Sequence, residues 1–142
     1  MSFGPRPSQL CLLSHLPEKG VGDKVRFLGC VTSYSTASGV LTLEHRLPEE
    51  TRSVHALVDV NLVLESLGSE QTRVGEWVNV IGYITDIALS INGGKETAPR
   101  TPIVHAQAVL LWSAGAFDIR KYEASLKALL MRTSPTSCHP TS

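Results

Sequence analysis

The sequence predicts an all-β barrel with accessory helices, on three observations. From Val25 to Trp112 the hydrophobic pattern mostly alternates with period two rather than 3.6. A short helical segment interrupts the strands after the third of them. Two glycines, Gly29 and Gly82, stand in the middle of strand patterns, where glycine weakens a strand unless a bend or a close backbone approach requires it. Three strands, a helix and two strands is the order of an OB-fold, a five-stranded, partly open Greek-key barrel.

The elements follow in order. Gly20-Val21-Gly22-Asp23 turns the chain into a first strand, in which Val25, Phe27, Gly29 and Val31 alternate with Lys24, Arg26, Leu28, Cys30 and Thr32. Gly29 is expected to bend this strand so that it pairs with both sheets. Thr36-Ala37-Ser38-Gly39 makes a tight connection to a second strand, Val40 to His45. Leu47 to Arg52 is a polar loop, and Val54 to Val60 the third strand. Asn61 to Gly68 reads as one or two helical turns, started by a capping Asn61 and stopped by Gly68. Arg73-Val74-Gly75-Glu76 leads into the fourth strand, Trp77 to Thr85. A long loop with Ile91 to Arg100 at its tip precedes the fifth strand, Val104 to Trp112. After a break at Ser113-Ala114-Gly115, Phe117 to Met131 is an amphipathic helix. Residues 1–9, which hold two prolines, and 132–142, rich in Ser, Thr and Pro, are expected to be flexible tails around a domain at 10–131.

At 142 residues the chain has the length of one domain, able to bury roughly two-thirds of its unfolded surface. A hydrophobic fraction of 42% and a charged fraction of 18% exclude a disordered chain and a coiled coil. Lys+Arg and Asp+Glu each number 13, so the net charge is zero. That argues against tight autonomous binding of nucleic acid, which scales with the phosphates neutralised. The three cysteines, Cys11, Cys30 and Cys138, form no C-x-x-C, which argues against a disulfide framework and a cysteine zinc site. Reduced thiols fit an intracellular compartment. No apolar run approaches the roughly 20 residues of a membrane helix. The stretch Leu10 to Leu16 contains His15 and ends at Pro17, too short and interrupted for a secretory signal.

Catalytic patterns are missing. His15, His45, His55, His105 and His139 show no metal-ligand spacing. His45, His55 and His105 alternate with apolar residues on strands and are expected to point outward. There is no G-x-S-x-G, P-loop or dinucleotide fingerprint. Gly93-Gly94-Lys95 lacks the other residues of a phosphate loop and reads as a hairpin tip. We expect no enzyme, no cofactor and no metal.

Two binding surfaces are legible. In the C-terminal helix, Ile119, Tyr122, Leu126, Leu129 and Leu130 line one stripe, with Arg120, Lys121, Glu123 and Lys127 opposite. Asp118 near the start and Lys127 and Arg132 near the end suit the helix dipole. A barrel filled by its own strands leaves such a stripe in surplus, so we expect it to pack on a helix of a second chain. The competing reading is that it covers its own barrel, and part of the stripe can serve both. The second surface is for nucleic acid. OB-folds bind single strands across strands two and three and the loops after strands one and four. Cations and rings available for that chemistry are Arg26, Tyr34, Arg52, Tyr83, Lys95 and Arg100. Glu44, Glu49, Glu50 and Asp59 lie on or near strands two and three and would repel phosphate. The set allows weak, salt-sensitive contacts.

With this order, three segments point to a family: Gly20 to Gly29, Asp59-Val60-Asn61-Leu62, and Val74-Gly75-Glu76-Trp77-Val78-Asn79-Val80-Ile81-Gly82-Tyr83. Over roughly residues 10–131 the chain resembles the Ten-one family, the smallest subunit of the CST telomere-capping complex, in a form like that of filamentous fungi. The resemblance implies a non-enzymatic nuclear protein at telomeres. It implies a heterodimer with the Stn-one subunit through the C-terminal helix, at Ile119, Tyr122, Leu126, Leu129 and Leu130. Together with the large CST subunit the pair would act on single-stranded telomeric DNA, protecting ends, limiting telomerase and promoting fill-in synthesis. A small subunit of a replication-protein-A-like complex, with the same architecture, and a protein-only OB adaptor are the alternatives.

Overall fold

The alternation in the sequence becomes an inside and an outside. The structure, a computed structural model, describes residues 7–48, 53–90, 101–115 and 118–133. Its strands are β1 (Gln9–Leu10), β2 (Lys24–Ser35), β3 (Val40–Glu44), β4 (His55–Asp59), β5 (Trp77–Ser90) and β6 (Thr101–Ser113). They run β1-β2-β3-β4-β6-β5, and β5 pairs back onto β2. That last pairing closes a five-stranded barrel with β1 added outside it. The β4–β6 pairing is parallel and the other barrel pairings are antiparallel. This is the expected OB-fold.

Closure depends on β2 serving two neighbours. It pairs with β5 from Lys24 to Cys30 and with β3 from Cys30 to Ser35. Gly29 lies at the handover. A Cβ there would stand 2.8 Å from both Leu13 Cδ1 and Leu43 Cβ, so glycine is what lets the core close against the bend. Gly82 on β5 answers a different need. A Cβ there would run into the Gln107 carbonyl of β6, beside a register shift between Ile81 and Gly82. Inside the barrel Val25, Phe27, Val31, Leu41, Leu43, Val58, Val80 and Val104 are fully buried.

Several details depart from expectation. β5 and β6 are longer than the sequence suggests, so much of the long loop after Thr85 is strand. Its tip, 91–100, lies outside the described residues, as do 49–52 of the polar loop and Phe117. β1, a 3₁₀ helix at Leu13–Glu18 and the short α1 (Ser69–Thr72) were not anticipated. The 3₁₀ helix inserts Leu13 and Leu16 into the core; six residues are too few to display a period. Asn61–Ser66 is a 3₁₀ helix, and Asn61 does not cap it with its side chain. The Asn61 N–H donates to Asp59 Oδ1 at 2.9 Å, and its side-chain amide donates to Asp59 Oδ1 and to the Ser38 carbonyl. Asn61 thereby ties this helix to the β2–β3 turn, while Val63 joins the core.

Candidate functional site

The C-terminal helix, α2 (Ile119–Thr133), begins at a carboxylate. Asp118 Oδ1 accepts from the Arg120 and Lys121 backbone N–H groups at 3.0 and 3.3 Å, satisfying donors that a helix start leaves open. One side of α2 rests on its own chain. Leu126 is 3% exposed and forms a small cluster with Leu12 and Leu47, against which Leu10, Tyr122 and Leu130 are packed. Glu123 also faces inward, contrary to its expected place among the solvated residues. Its Oε2 lies 2.7 Å from Nε2 of His45, and the two side chains are 11% and 2% exposed. His45 is therefore not an outward strand residue; it follows β3 at the barrel end and meets Trp77 edge-on at 5.3 Å. Glu123 and His45 turn inward together because each supplies the other's polar partner where α2 crosses the barrel end.

The other side of α2 is open. Leu10, Tyr122, Ser125, Leu126 and Leu129 line an apolar groove of about 220 Å³, and Leu129 is 46% exposed. The stripe read from the sequence is thus divided: Leu126 lies against the barrel and Leu129 faces out. Ile119, Tyr122 and Leu130 are half-buried.

The groove continues onto the sheet. Leu10 on β1 is registered with Arg26 on β2, Arg26 with Ile81 on β5, and Ile81 with Leu110 on β6. Registered residues share a face. Leu110 is 56% exposed, and the Arg26 guanidinium lies 5.4 Å from the centroid of the Trp112 ring beside it. Lys24 lies similarly over Tyr83, at 5.9 Å. Both arrangements are cation–π contacts at an exposed site.

The candidates for nucleic acid do not assemble into one site. Arg26 and Tyr83 share this outer β2–β5–β6 face. Tyr34, at the far end of β2, packs against the main core. Arg52, Lys95 and Arg100 lie outside the described residues. On the outer face of β3 and β4, Glu44 meets His55 at 3.2 Å, and Asp59 holds Asn61. Among the described residues no group of three or more His, Cys, Asp or Glu could hold a metal ion, and no helix is long and apolar enough to cross a membrane.

A family model for Ten1, described as telomere capping, CST complex subunit, matches residues 1–127. The chain belongs to the Ten1 family. Its role is that of a telomere-capping subunit of the CST complex. The S. pombe Stn1–Ten1 complex contains a similar chain, 24% identical with a TM-score of 0.61, covering 92% of this chain and 98% of that one. S. pombe Ten1 is 25% identical with a TM-score of 0.58, covering 87% of this chain and 97% of that one. U. maydis replication protein A bound to single-stranded DNA shares the fold at 15% identity and a TM-score of 0.53, covering 91% of this chain and 96% of that one. None of the curated proteins matches the chain. Two of the segments that carry the resemblance to the Ten1 family, Gly20 to Gly29 and Val74 to Tyr83, enter β2 and β5 through matching turns. Gly22 and Gly75 both have φ +95; the Gly22 N–H donates to the Ile84 carbonyl and the Gly75 N–H to the Val31 carbonyl.

Proposed function

We propose that this chain is a non-catalytic subunit that pairs with an Stn1-type OB-fold protein through the α2 groove, in the nucleus at chromosome ends. With that partner and the large CST subunit it supports binding of single-stranded telomeric DNA, and through it end protection, control of telomerase and fill-in synthesis. The open groove lined by Leu10, Tyr122, Ser125, Leu126 and Leu129 carries the reading. It is apolar, it adjoins the exposed Leu129, and the similar S. pombe chain comes from an Stn1–Ten1 complex. The partner surface extends along the registered row to Arg26 and Trp112, an Arg–Trp pairing of the kind that concentrates binding energy at interfaces. Arg26 and Tyr83 therefore belong to the protein interface in this proposal. Lys95 and Arg100 in the β5–β6 connection, Arg52 in the β3–β4 connection and Tyr34 remain the proposed DNA contacts. Affinity for DNA is borrowed from the partner through effective concentration, in keeping with the zero net charge.

The test is Leu129→Glu, measured against the Stn1-type subunit. Leu129 is exposed, whereas Leu126 is needed by the chain's own helix seam, so the single change spares the fold. The Kd should rise by about 30-fold or more, the scale of an interface hot spot, with the free chain's Tm unchanged. Binding at wild-type affinity would remove the groove from the interface.

A further inference from the structure

The apolar stripe of α2 does not by itself decide how the helix is rotated on the barrel. At about 100° per residue, Ile119, Glu123, Leu126 and Leu130 fall in one sector of about 60°. Tyr122, Ser125 and Leu129 fall in another, centred about 90° away. Both sectors carry leucine, and apolar burial is non-directional. Both sectors reach the cluster around Leu12 and Leu47, Leu126 and Leu130 from the first and Tyr122 from the second. A directional contact crosses this seam: the hydrogen bond from His45 at the end of β3 to Glu123 at the edge of the inward sector.

We propose that the His45–Glu123 hydrogen bond sets the rotation of α2 and so presents Tyr122, Ser125 and Leu129 to the partner. The inference rests on the groove being the partner site. Glu123 is 8% exposed and His45 4% exposed. The rings of Trp77 and Tyr122 lie 5.3 and 6.2 Å from the His45 ring. Arg120 approaches only the other carboxylate oxygen, at 3.8 Å from the solvent side. A buried carboxylate that loses its donor is costly, so rotations that pull Glu123 from His45 are disfavoured however well the leucines pack. The pair is poorly explained as a plain stabiliser. His45 Nδ1 is buried with no hydrogen-bond partner among the described residues, a cost that two apolar side chains would not carry. What the pair supplies is direction.

The experiment compares Glu123→Gln, Glu123→Leu and the double variant His45→Leu/Glu123→Leu in the full chain, reading the free chain's Tm and the Kd for the Stn1-type subunit. Glu123→Gln keeps an acceptor for His45 and should bind within about threefold of wild type. Glu123→Leu should bind about tenfold or more weakly. The double variant should recover the Tm, because an apolar pair replaces a buried polar one, yet remain about tenfold weak. Wild-type affinity in the double variant overturns the proposal, as does Glu123→Gln binding as poorly as Glu123→Leu. Either result leaves the groove itself standing, since that reading falls with Leu129→Glu alone.

Discussion

Gly82 and Gly29 sit in similar places on neighbouring strands, but what each avoids is different. At Gly29 an added Cβ would meet one flexible side-chain end, Leu13 Cδ1, and one fixed Cβ on Leu43. At Gly82 it would meet the β6 backbone, which cannot yield without breaking the ladder that closes the barrel. Gly29→Ala should therefore cost about 1–2 kcal/mol and Gly82→Ala about 3 kcal/mol or more. Denaturant unfolding of both variants checks the order; equal losses would mean that strand closure tolerates a Cβ at either site. Both glycines were legible as required residues from their mid-strand position. The reasons were not, because the atoms they avoid come from Leu13 and Gln107, each many residues away along the chain.

At the scale of elements, α2 shows what periodicity reads and what it averages away. Its place in the chain and its apolar stripe follow from spacing, although it ends at Thr133, two residues past the expected Met131. The division of that stripe into a face against the barrel and a face on the groove does not, because Leu126 and Leu129 are chemically identical. Glu123 stands at the stripe's margin and is polar, so by composition it belongs with Arg120 and Lys121; only His45 beneath it draws it inward. The seam also titrates. Burial pushes the Cys11 thiol up to about 11 from 9.0, with Lys19 lowering it and Glu18 raising it. Burial, and then Cys11, push the Tyr122 hydroxyl up to about 12, against the pull of Arg26. In both cases the folded chain holds a proton that the unfolded chain releases first, so the stability contribution is whole below about pH 9 and declines as pH rises from there to about 11 for Cys11. Tyr122 adds the same trend from about pH 10 upward. Unfolding midpoints at about pH 8 and about pH 10.5 should show the loss, and Cys11→Ala should flatten it; an unchanged slope in that variant would place the effect elsewhere.

For the whole molecule, charge decides how DNA can be held. The chain carries equal numbers of cations and anions, and Glu44 and Asp59 stand on the outer β3–β4 face, where an OB-fold receives a single strand. Binding by the assembled complex should still register the β5–β6 connection. Lys95→Ala with Arg100→Ala should flatten the dependence of log Kd on log salt by up to about two units. An identical slope in filter-binding or anisotropy titrations would remove that connection from the DNA contacts. Arg26 and Tyr83 on the outer β2–β5–β6 face were legible as residues able to meet a nucleic acid; Lys24 and Trp112, which pair with them there, were not. Their joint position next to the α2 groove was not, since it follows from register across four strands.

The order of the five barrel strands, the closed barrel, the bend at Gly29, the terminal helix and the Ten1 resemblance were determined by the sequence, because each rests on patterns that neighbouring residues carry. The tertiary structure alone decided which half of the α2 stripe stays open, that His45 turns inward to meet Glu123, and that Arg26 joins Leu10 beside the groove. Those outcomes depend on side chains that closure of the barrel brings together, from positions as far apart as 45 and 123, and no local period encodes such a meeting.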